Sequence, residues 1–335
     1  MSDYGFLRKL IGIDSPSGYT REAAQFVADY LTDLGCEPER TNKGAVSCAF
    51  SAEPKLAVTA HLDTLGAMVS GINSDGTIRF TLVGGLSLTG AEGEYVRIRT
   101  LDGKIYTGTI LVNNPSTHAN REKDSITRGL HNMHIRLDER VEARYEVERL
   151  GIRIGDYICL NPRYEELENG FIKSRFLDNK AGCLVLTELA KYLKENAAPV
   201  QLVFSNYEEV GHGGACGYSD SIEELLVIDM GVLGLACQGN EESCSICAKD
   251  STGPYDYEMR KQLVELAEAN NIPHAIDVYP YYGSDGSAAL AAGHDFRVAL
   301  IGPGVAASHS TERTHKSAIE ATIRLSKEYI EATLG

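Results

Sequence analysis

Apolar runs of strand character alternate with stretches of helical spacing in two parts of the chain, and this alternation limits the fold more than any other feature. In the first part, the run KLAVTA (55–60) follows a helical stretch that ends near Gly35. In the second part, the helical pattern of 178–196 is followed by the apolar runs PVQLVF (199–204) and ELLVI (224–228). Alternating β and α units predict a largely parallel sheet with helices on its faces.

A segment of different character interrupts this alternation between about residue 67 and residue 165. Its apolar runs are short, rich in β-branched residues and bounded by Gly, Asn or Asp: TIRFTLV (77–83), EYVRIRT (94–100) and KIYTGTILV (104–112). Such runs are typical of short strands joined by turns, and no long helical pattern separates them. We therefore predict an α/β domain of residues 1–66 and 166–335, interrupted by a small all-β domain of residues 67–165.

The composition and the first residues indicate which binding partners and which cellular compartment to expect. The 32 basic and 47 acidic residues give a formal net charge of 32 − 47 = −15. A balance this acidic disfavours nucleic acid and anionic membrane surfaces as partners. No apolar run reaches the roughly 18 residues that span a bilayer. The first residues, MSDYGFLRKL, lack the apolar core of a secretion signal, so we expect a cytoplasmic protein.

The eight cysteines are scattered along the chain and predict reduced thiols rather than a disulfide framework. Cys244 and Cys247 form a single CxxC pair. A structural zinc site of this type needs a second pair, which the sequence does not contain. Cys237 is close enough in the chain to leave a metal or redox role open, but structural cysteines are the simpler interpretation.

Nearly every predicted core strand is followed by a carboxylate or an imidazole. These residues are His61, Asp63, Asp178, Glu208, Glu209, Asp229 and His309. Because ligands of open α/β sheets bind at the carboxyl ends of the strands, we expect the seven side chains to converge on one edge. Each of them alone has a simpler explanation: a structural histidine, a solvated glutamate pair, or, for Asp178, a helix N-cap.

Convergence of so many carboxylates requires a compensating positive charge, because crowded carboxylates repel one another and raise each other's pKa. Basic residues near these strand ends are few: Arg175, Lys180 and Arg313. One or two divalent metal ions are the simpler answer. Histidine and carboxylate ligands without a thiolate suit zinc, cobalt or manganese.

The adjacent glutamates Glu208 and Glu209 can have separate roles at such a site. A pair of metal ions activates a water molecule, whose proton must be carried to a leaving group by a base. Neighbouring residues in a turn point in different directions, so one glutamate can reach the metal and the other the water. Gly211, Gly213 and Gly214 permit the tight turn that this division requires. We expect His212, in the same turn, to be a neighbour of the substrate path without binding metal.

Five motifs in this order and spacing resemble the M42 metallo-aminopeptidases, which include glutamyl aminopeptidases and FrvX-like proteins. The motifs are His61-Leu62-Asp63, Asp178-Asn179-Lys180-Ala181-Gly182, Glu208-Glu209-Val210-Gly211, Ile228-Asp229 and His309-Ser310. The resemblance covers nearly the whole chain, including the insert at GTIRFTLVGGL and GKIYTGTI. It implies a zinc-peptidase-like catalytic domain and an inserted domain for dimerisation and assembly.

The resemblance implies two divalent metal ions, zinc in the first instance and cobalt or manganese as alternatives. Asp178 would bridge the two ions. His61 and Asp229 would complete the ligands of one ion, and Glu209 and His309 those of the other.

The resemblance also implies catalytic roles. Glu208 would be the general base, and Asp63 would orient His61 through the second ring nitrogen. The reaction would be hydrolysis of N-terminal residues from peptides, with side-chain preference set by loops such as 232–255 and 279–288. The protein would form a homo-oligomer, a dimer that builds a dodecamer.

The sequence departs from the family pattern at a few positions. Thr64 stands where the family usually has an acidic residue, and the segment 130–143 is less acidic than is typical. His315 offers a second histidine, but His309, with Ser310 next to it and Glu312 three residues on, matches the pattern better.

Other functions are left open by the residues. An M20-like carboxypeptidase or N-acyl amino acid deacylase shares the chemistry, but its extra domain usually follows the motif with the base, whereas this insert precedes Asp178. A glycoside hydrolase needs two carboxylates and no metal. A non-catalytic scaffold is the third alternative. Nucleotide enzymes are disfavoured, since neither GxxxxGK[ST] nor a helix-opening GxGxxG occurs.

Overall fold

The computed structural model describes residues 2–334 and divides into two compact units, Met1–Thr64 with Arg163–Gly335, and Leu65–Pro162. The α-helices are α1 (Tyr4–Gly12), α2 (Arg21–Asp33), α3 (Arg144–Leu150), α4 (Leu177–Glu195), α5 (Tyr257–Ala269), α6 (Asp285–Ala291) and α7 (Lys316–Leu334). The strands are β1 (Glu39–Arg40), β2 (Val46–Ala49), β3 (Leu56–His61), β4 (Gly66–Ile72), β5 (Ile78–Val83), β6 (Tyr95–Arg99), β7 (Ile105–Val112), β8 (Met133–Leu137), β9 (Tyr157–Leu160), β10 (Glu165–Glu166), β11 (Phe171–Ser174), β12 (Val200–Ser205), β13 (Glu224–Ile228), β14 (Gly231–Val232), β15 (Cys244–Lys249), β16 (His274–Val278), β17 (Arg297–Val305) and β18 (Glu312–His315).

The first unit is built on one large mixed sheet. Its strand order is β1-β2-β12-β3-β13-β17-β15-β16, with β14 beside β17. The central strands β12, β3, β13 and β17 are parallel to one another. Among the described strands of this sheet, the antiparallel pairs are β1 with β2, β2 with β12, and β15 with β17. The predicted mostly parallel sheet is therefore confirmed.

The core of this unit lies on both faces of the sheet. Along β13, Leu226 and Ile228 pack into the larger hydrophobic cluster, whereas Leu225 and Val227 pack into a smaller one on the opposite face. This division follows from the two-residue period of a strand. Each fully buried side chain of this size stabilises the fold by about 1.5–3 kcal/mol, which explains why the runs are apolar throughout.

Helix α4 packs on β3 on one side and on α1 and α7 on the others, so its first half is almost entirely buried. Its beginning is irregular, because Asp178 and Asn179 have non-helical backbone angles. Asn179 accepts a hydrogen bond from the Gly182 amide at 3.1 Å and donates one to the Ile228 carbonyl at 2.7 Å. Asn179 rather than Asp178 thus caps the helix, which leaves the Asp178 carboxylate available at the edge of the sheet.

A small antiparallel sheet, β10-β11-β18, completes this unit. Ser174 of β11 pairs with Glu312 of β18. The pairing places Glu312 close to the beginning of α4.

The second unit is a closed antiparallel barrel with the strand order β4-β5-β8-β7-β6-β9. Ile78 and Phe80 of β5 are buried, while Arg79 and Thr81 between and beside them are exposed, as expected of a strand with one face toward a core. An inserted β-rich unit is what the sequence predicts, but the short helix α3 within it was not foreseen. Helix α3 ends at Leu150 and is followed by Gly151, whose φ of 96° is in the left-handed region.

Among the described helices, none is both long enough and apolar enough to span a membrane.

Candidate active site

Seven ionisable side chains meet at the carboxyl edge of the central sheet. They are His61, Asp63, Asp178, Glu208, Glu209, Asp229 and His309, the residues that the sequence places at the site. Each of the five carboxylates has an oxygen within 3.9 Å of a ring nitrogen of one of the two histidines. Residues from distant parts of the chain therefore form one cluster.

The parallel strands explain this convergence. His61 is the last residue of β3 and pairs with Ser205, the last residue of β12. The two glutamates follow β12 and Asp229 follows β13, so three of these segments leave the sheet side by side. Asp229 is held by its amide, which donates to the Ile301 carbonyl at 3.0 Å. Only glycine fits at position 302, since a Cβ there would lie 1.6 Å from the Asp229 carbonyl oxygen.

Asp178 is at the centre of the cluster. Its Oδ1 lies 3.1 Å from His61 Nε2, and its Oδ2 lies 3.6 Å from His309 Nε2. On the two sides, Asp229 Oδ1 is 3.9 Å from His61 Nε2, and Glu209 Oε2 is 3.7 Å from His309 Nε2. One carboxylate thus faces two imidazoles, each of which has a further carboxylate beside it.

The cluster fits a metal ion by its donor atoms. Three ligand atoms, one each from His61, Asp178 and Glu209, lie within 4.8 Å of one another. The Glu209 Oε1 atom is buried and has no hydrogen-bond partner in the described part of the chain. A buried carboxylate oxygen without a donor is costly unless a cation binds it. Nitrogen and oxygen donors of this kind suit a divalent transition metal.

The protein's own charges leave the carboxylates undercompensated. Burial, together with the nearby Asp178 carboxylate, raises the pKa of Asp229 to about 7. Burial likewise raises the pKa of Glu208 and of Glu209 well above the ordinary value. For Asp178, burial acts in the same direction, but hydrogen bonds from His309 and His61 outweigh it and lower the pKa. A divalent cation would favour the ionised form of all four.

Two of the basic residues near the cluster are bound elsewhere. Lys180 is buried, and its Nζ donates to Ser15 Oγ at 2.7 Å and to the Leu62 carbonyl at 2.6 Å. Arg313 forms a bidentate ion pair with Glu241, from Nε to Oε1 at 2.6 Å and from Nη2 to Oε2 at 2.8 Å. These contacts support a metal ion as the compensating charge.

Asp63 connects β3 to the glutamate turn. Its Oδ1 accepts from the Glu208 amide at 3.2 Å, and its Oδ2 accepts from the Glu209 amide at 3.3 Å and from the Ser17 hydroxyl. His61 Nδ1 lies 3.0 Å from the Asp63 carbonyl oxygen and 3.6 Å from Oδ1. The carbonyl is therefore the nearer partner of His61, while the carboxylate holds the turn.

The turn itself sends the two glutamates in different directions. Residues Glu208–Val210 form one turn of 3-10 helix, which begins after Tyr207 (φ 75°) and ends at Gly211 (φ 85°). Glu208 Oε2 points toward His61 Nε2, at 3.6 Å, whereas Glu209 points toward His309. At Gly213, a Cβ would lie 2.5 Å from the Glu208 amide nitrogen, so only glycine allows this close approach.

Two further carboxylates support the cluster, and sequence reasoning did not assign them a role. Glu312 Oε1 accepts from the His309 amide and Oε2 from the Asp178 amide, both at 3.1 Å. Asp285, the first residue of α6, accepts from the hydroxyls of Thr59 and Ser205 below the glutamate turn. In the sequence, the one indication of this role for Glu312 is its position three residues after His309.

The other two histidines near these segments lie apart from the cluster contacts. His212 stacks on Tyr207 with ring centroids 5.0 Å apart, and its Nδ1 is 3.1 Å from Lys43 Nζ. His315 Nε2 is 3.0 Å from the Asn169 carbonyl, and its Nδ1 is 2.7 Å from Ser317 Oγ. His309 rather than His315 therefore faces Asp178.

The cluster opens into a cavity of about 460 Å³. Asp178, Glu208, Glu209, Asp229 and His309 line its charged side. Its other lining residues include Met230, Val232, Tyr281, Tyr282 and Gly283. Neither lysine nor arginine is among its lining residues in the described part of the chain.

Comparison with known proteins identifies the family. Residues 44–325 match the sequence model described as M42 glutamyl aminopeptidase, and this range includes all seven cluster residues. The chain belongs to the M42 family. As an M42 protein it is a peptide hydrolase of the aminopeptidase class, and the M20-like, glycosidase and scaffold alternatives are not favoured.

Individual relatives agree with this assignment. The chain is 42% identical to the protein named "Putative aminopeptidase YhfE" of Bacillus subtilis, over 98% of this chain and 97% of the relative. Among solved structures, the TET aminopeptidase of Thaumarchaeota archaeon SCGC AB-539-E09 superposes with a TM-score of 0.89 at 21% identity, covering 98% and 95% of the two chains. The TET1 peptidase of Pyrococcus horikoshii gives 0.86 at 22% identity, with 98% of both chains covered. The fold is thus shared with these structures over 98% of this chain.

Proposed function

We propose that this M42 peptidase removes the N-terminal residue from peptides, with two divalent metal ions and Glu208 as the general base. The observation that carries the proposal is the position of Asp178, whose two carboxylate oxygens face His61 and His309. A carboxylate between two sets of ligands is what a two-metal site needs, because Asp178 would then be available to both ions.

The proposed ligands fall into two sets that share Asp178. His61 and Asp229 would hold one ion, and Glu209 and His309 the other. Zinc is the first candidate, with cobalt and manganese as alternatives, because the donors are imidazole nitrogens and carboxylate oxygens. When bound, the ions polarise the scissile carbonyl and make a water molecule more acidic.

Glu208 is proposed to move the proton. Its carboxylate takes a proton from water as the water oxygen forms a bond to the carbonyl carbon. It then gives this proton to the leaving nitrogen as the C–N bond breaks, so the products are a free amino acid and a shortened peptide.

The charges of the cavity support a free N-terminus as the group recognised. Its described lining residues include four carboxylates and one histidine, and neither lysine nor arginine is among them. A carboxypeptidase or an N-acyl amino acid deacylase must bind a free carboxylate, for which arginine is the usual partner. The described lining residues offer no such partner, which favours an aminopeptidase.

For assembly, we propose a homo-oligomer in which the barrel unit joins subunits, as a dimer that builds a dodecamer. The P. horikoshii TET1 peptidase can assemble into a tetrahedron or a large octahedral shell, and the fold is shared. We also propose a cytoplasmic location, because none of the eight cysteines forms a disulfide. Light scattering during size-exclusion chromatography measures the subunit number.

The experiment that tests the proposed function uses a panel of aminoacyl-p-nitroanilides with their N-acetylated counterparts. The protein is stripped with a chelator and reloaded with Zn²⁺, Co²⁺ or Mn²⁺. We expect hydrolysis of the free-amine substrates only after reloading, and none of the acetylated ones. Activity that survives the chelator, or equal activity on acetylated substrates, would overturn the proposal.

A further inference from the structure

A second cavity of about 220 Å³ adjoins the main one beside Glu208. The two cavities share Glu208, Gly211 and Gly283 as lining residues. Beyond these, the second cavity is lined by small residues from the turn after β12, the loop after β15 and helix α6: Gly213, Thr252, Ser284, Ser287, Ala288 and Ala291. We refer to it as the side cavity.

The three hydroxyl groups of the side cavity are occupied by protein partners. Thr252 Oγ1 donates to Asp250 Oδ1 at 2.7 Å, and Ser287 Oγ donates to Asp250 Oδ2 at 3.1 Å. Ser284 Oγ lies 2.7 Å from the Tyr255 hydroxyl and accepts from the Gly286 amide at 3.2 Å. With these groups engaged, the cavity presents methyl groups, methylenes and glycine backbone to an occupant.

Charge is also scarce at this surface. Within residues 2–334, Glu208 is the single ionisable residue that lines the side cavity. An acidic side chain placed there would be repelled by Glu208. It would also lose its hydration without gaining a basic partner. The cavity therefore disfavours an acidic group and, because its hydroxyls are engaged, suits a mainly apolar one.

We propose that the side cavity binds the side chain of the residue that follows the scissile bond. This inference rests on the proposed function, in which Glu208 gives its proton to the leaving nitrogen. That nitrogen belongs to the second residue of the peptide, so the second residue must lie against Glu208. The side cavity touches Glu208 but none of the proposed metal ligands. An occupant therefore lies beside the carboxylate that protonates the leaving nitrogen and apart from the ligands that line the main cavity.

The volume determines what fits. An apolar cavity of about 150 Å³ is large enough to hold benzene, so 220 Å³ accepts a leucine, methionine or phenylalanine side chain. The protein should then prefer peptides with an apolar second residue over those with glycine or glutamate in that position, at constant N-terminal residue.

The test fills the side cavity from helix α6. Ala288 is half-buried and lines it, so Ala288→Leu occupies the space with a residue that favours helix. Ala292→Leu is the matched control, because Ala292 is exposed and is not a lining residue. The substrates are Xaa-Gly-Gly, Xaa-Phe-Gly and Xaa-Glu-Gly, where Xaa is the N-terminal residue that the wild-type protein hydrolyses best.

We expect Ala288→Leu to lower kcat/KM for Xaa-Phe-Gly by about tenfold or more, since loss of an apolar pocket of this size has such effects. Hydrolysis of Xaa-Gly-Gly stays within about twofold of wild type, which also shows that the variant is folded and its active site intact. Ala292→Leu should leave all three substrates unchanged.

Two outcomes overturn the inference while leaving the proposed function standing. One is an equal change of kcat/KM for glycine and phenylalanine in the second position, including no change for either. The other is a loss that follows the N-terminal residue, measured with Leu-Gly-Gly against Ala-Gly-Gly, which would assign the cavity to the first side chain. If the metal-loaded wild-type protein hydrolyses none of these peptides, the proposed function itself is contradicted, and this inference with it.

Discussion

Glu312 accepts a hydrogen bond from the backbone amide of Asp178 at 3.1 Å, although the two residues are 134 positions apart in the chain. The other oxygen of the same carboxylate accepts from the His309 amide, also at 3.1 Å. Glu312 is buried, and it therefore fixes the backbone at two proposed metal ligands simultaneously.

The first prediction concerns metal affinity. Glu312→Ala removes both acceptors, so the amides of Asp178 and His309 lose their hydrogen bonds to this carboxylate and the two ligands are held less firmly. Residues that orient metal ligands typically contribute about 10- to 100-fold in affinity. We expect a loss of this size for zinc, measured by competition with a chromogenic chelator.

The matched control for this prediction is Glu258→Ala, at an exposed position of helix α5 away from the cluster. It should bind zinc as the wild type does. Wild-type zinc affinity in Glu312→Ala, with the fold intact by circular dichroism, would show that the site does not depend on this carboxylate.

The second prediction is the pH dependence of stability in the metal-free protein. Burial raises the pKa of Asp229 to about 7 and that of Glu312 to about 8, and it raises those of Glu208 and Glu209. Between their ordinary values and these raised ones, the folded protein binds more protons than the unfolded chain. Stability is then highest at low pH within this window and decreases as pH rises. We expect the Tm of the metal-free protein to fall from pH 5 to pH 8.

Saturating zinc should reverse this slope, because metal ions bind the deprotonated ligands. Differential scanning fluorimetry with and without Zn²⁺ measures both curves. Asp229→Asn is the informative variant, since it should flatten the metal-free curve. A metal-free Tm that increases from pH 5 to pH 8 would contradict the charge balance described for the cluster.

The third prediction concerns thiol reactivity. Cys216 is exposed and Cys237 is half-buried, whereas the remaining cysteines are buried: Cys36, Cys48, Cys159, Cys183, Cys244 and Cys247. Thiolates react and thiols do not, and burial raises the pKa of Cys183 and Cys244 to about 12. A chromogenic disulfide reagent at pH 8 should therefore label Cys216 rapidly, Cys237 slowly and the other six only after unfolding.

Cys216→Ser supplies the control for the thiol measurement, since it should remove the fast phase and nothing else. Rapid labelling of Cys183 or Cys244 in the folded protein, identified by peptide mass spectrometry, would contradict the buried environment of α4 and β15.

Much of the site could be predicted from the sequence because parallel strands end at one edge. His61 and Asp229 directly follow apolar runs, and the register of β3 with β12 and β13 then brings them together. Asp178 precedes a strong helical pattern, which indicates that it lies at the beginning of a helix. These features are local in the chain, and local patterns are what sequence reasoning uses.

The supporting contacts could not be predicted, because they depend on pairings that the sequence does not specify. Glu312 reaches Asp178 only because β18 pairs with β11. Asp63 reaches the amides of the glutamate turn through its carboxylate, whereas the sequence suggested contact with His61 alone. The side cavity arises where a turn, a loop and α6 meet, and none of these segments has a pattern that predicts it.

The central claim is that Glu208 acts as the general base and Glu209 as a metal ligand. The most direct measurement compares Glu208→Gln with Glu209→Gln. Metal content by mass spectrometry and kcat are determined on the same samples. For Glu208→Gln we expect wild-type metal content and a kcat reduced by about 10²- to 10⁴-fold, the usual contribution of a general base. For Glu209→Gln we expect metal and activity to be lost together. Equal loss of metal and activity in Glu208→Gln would make Glu208 a metal ligand and contradict the account.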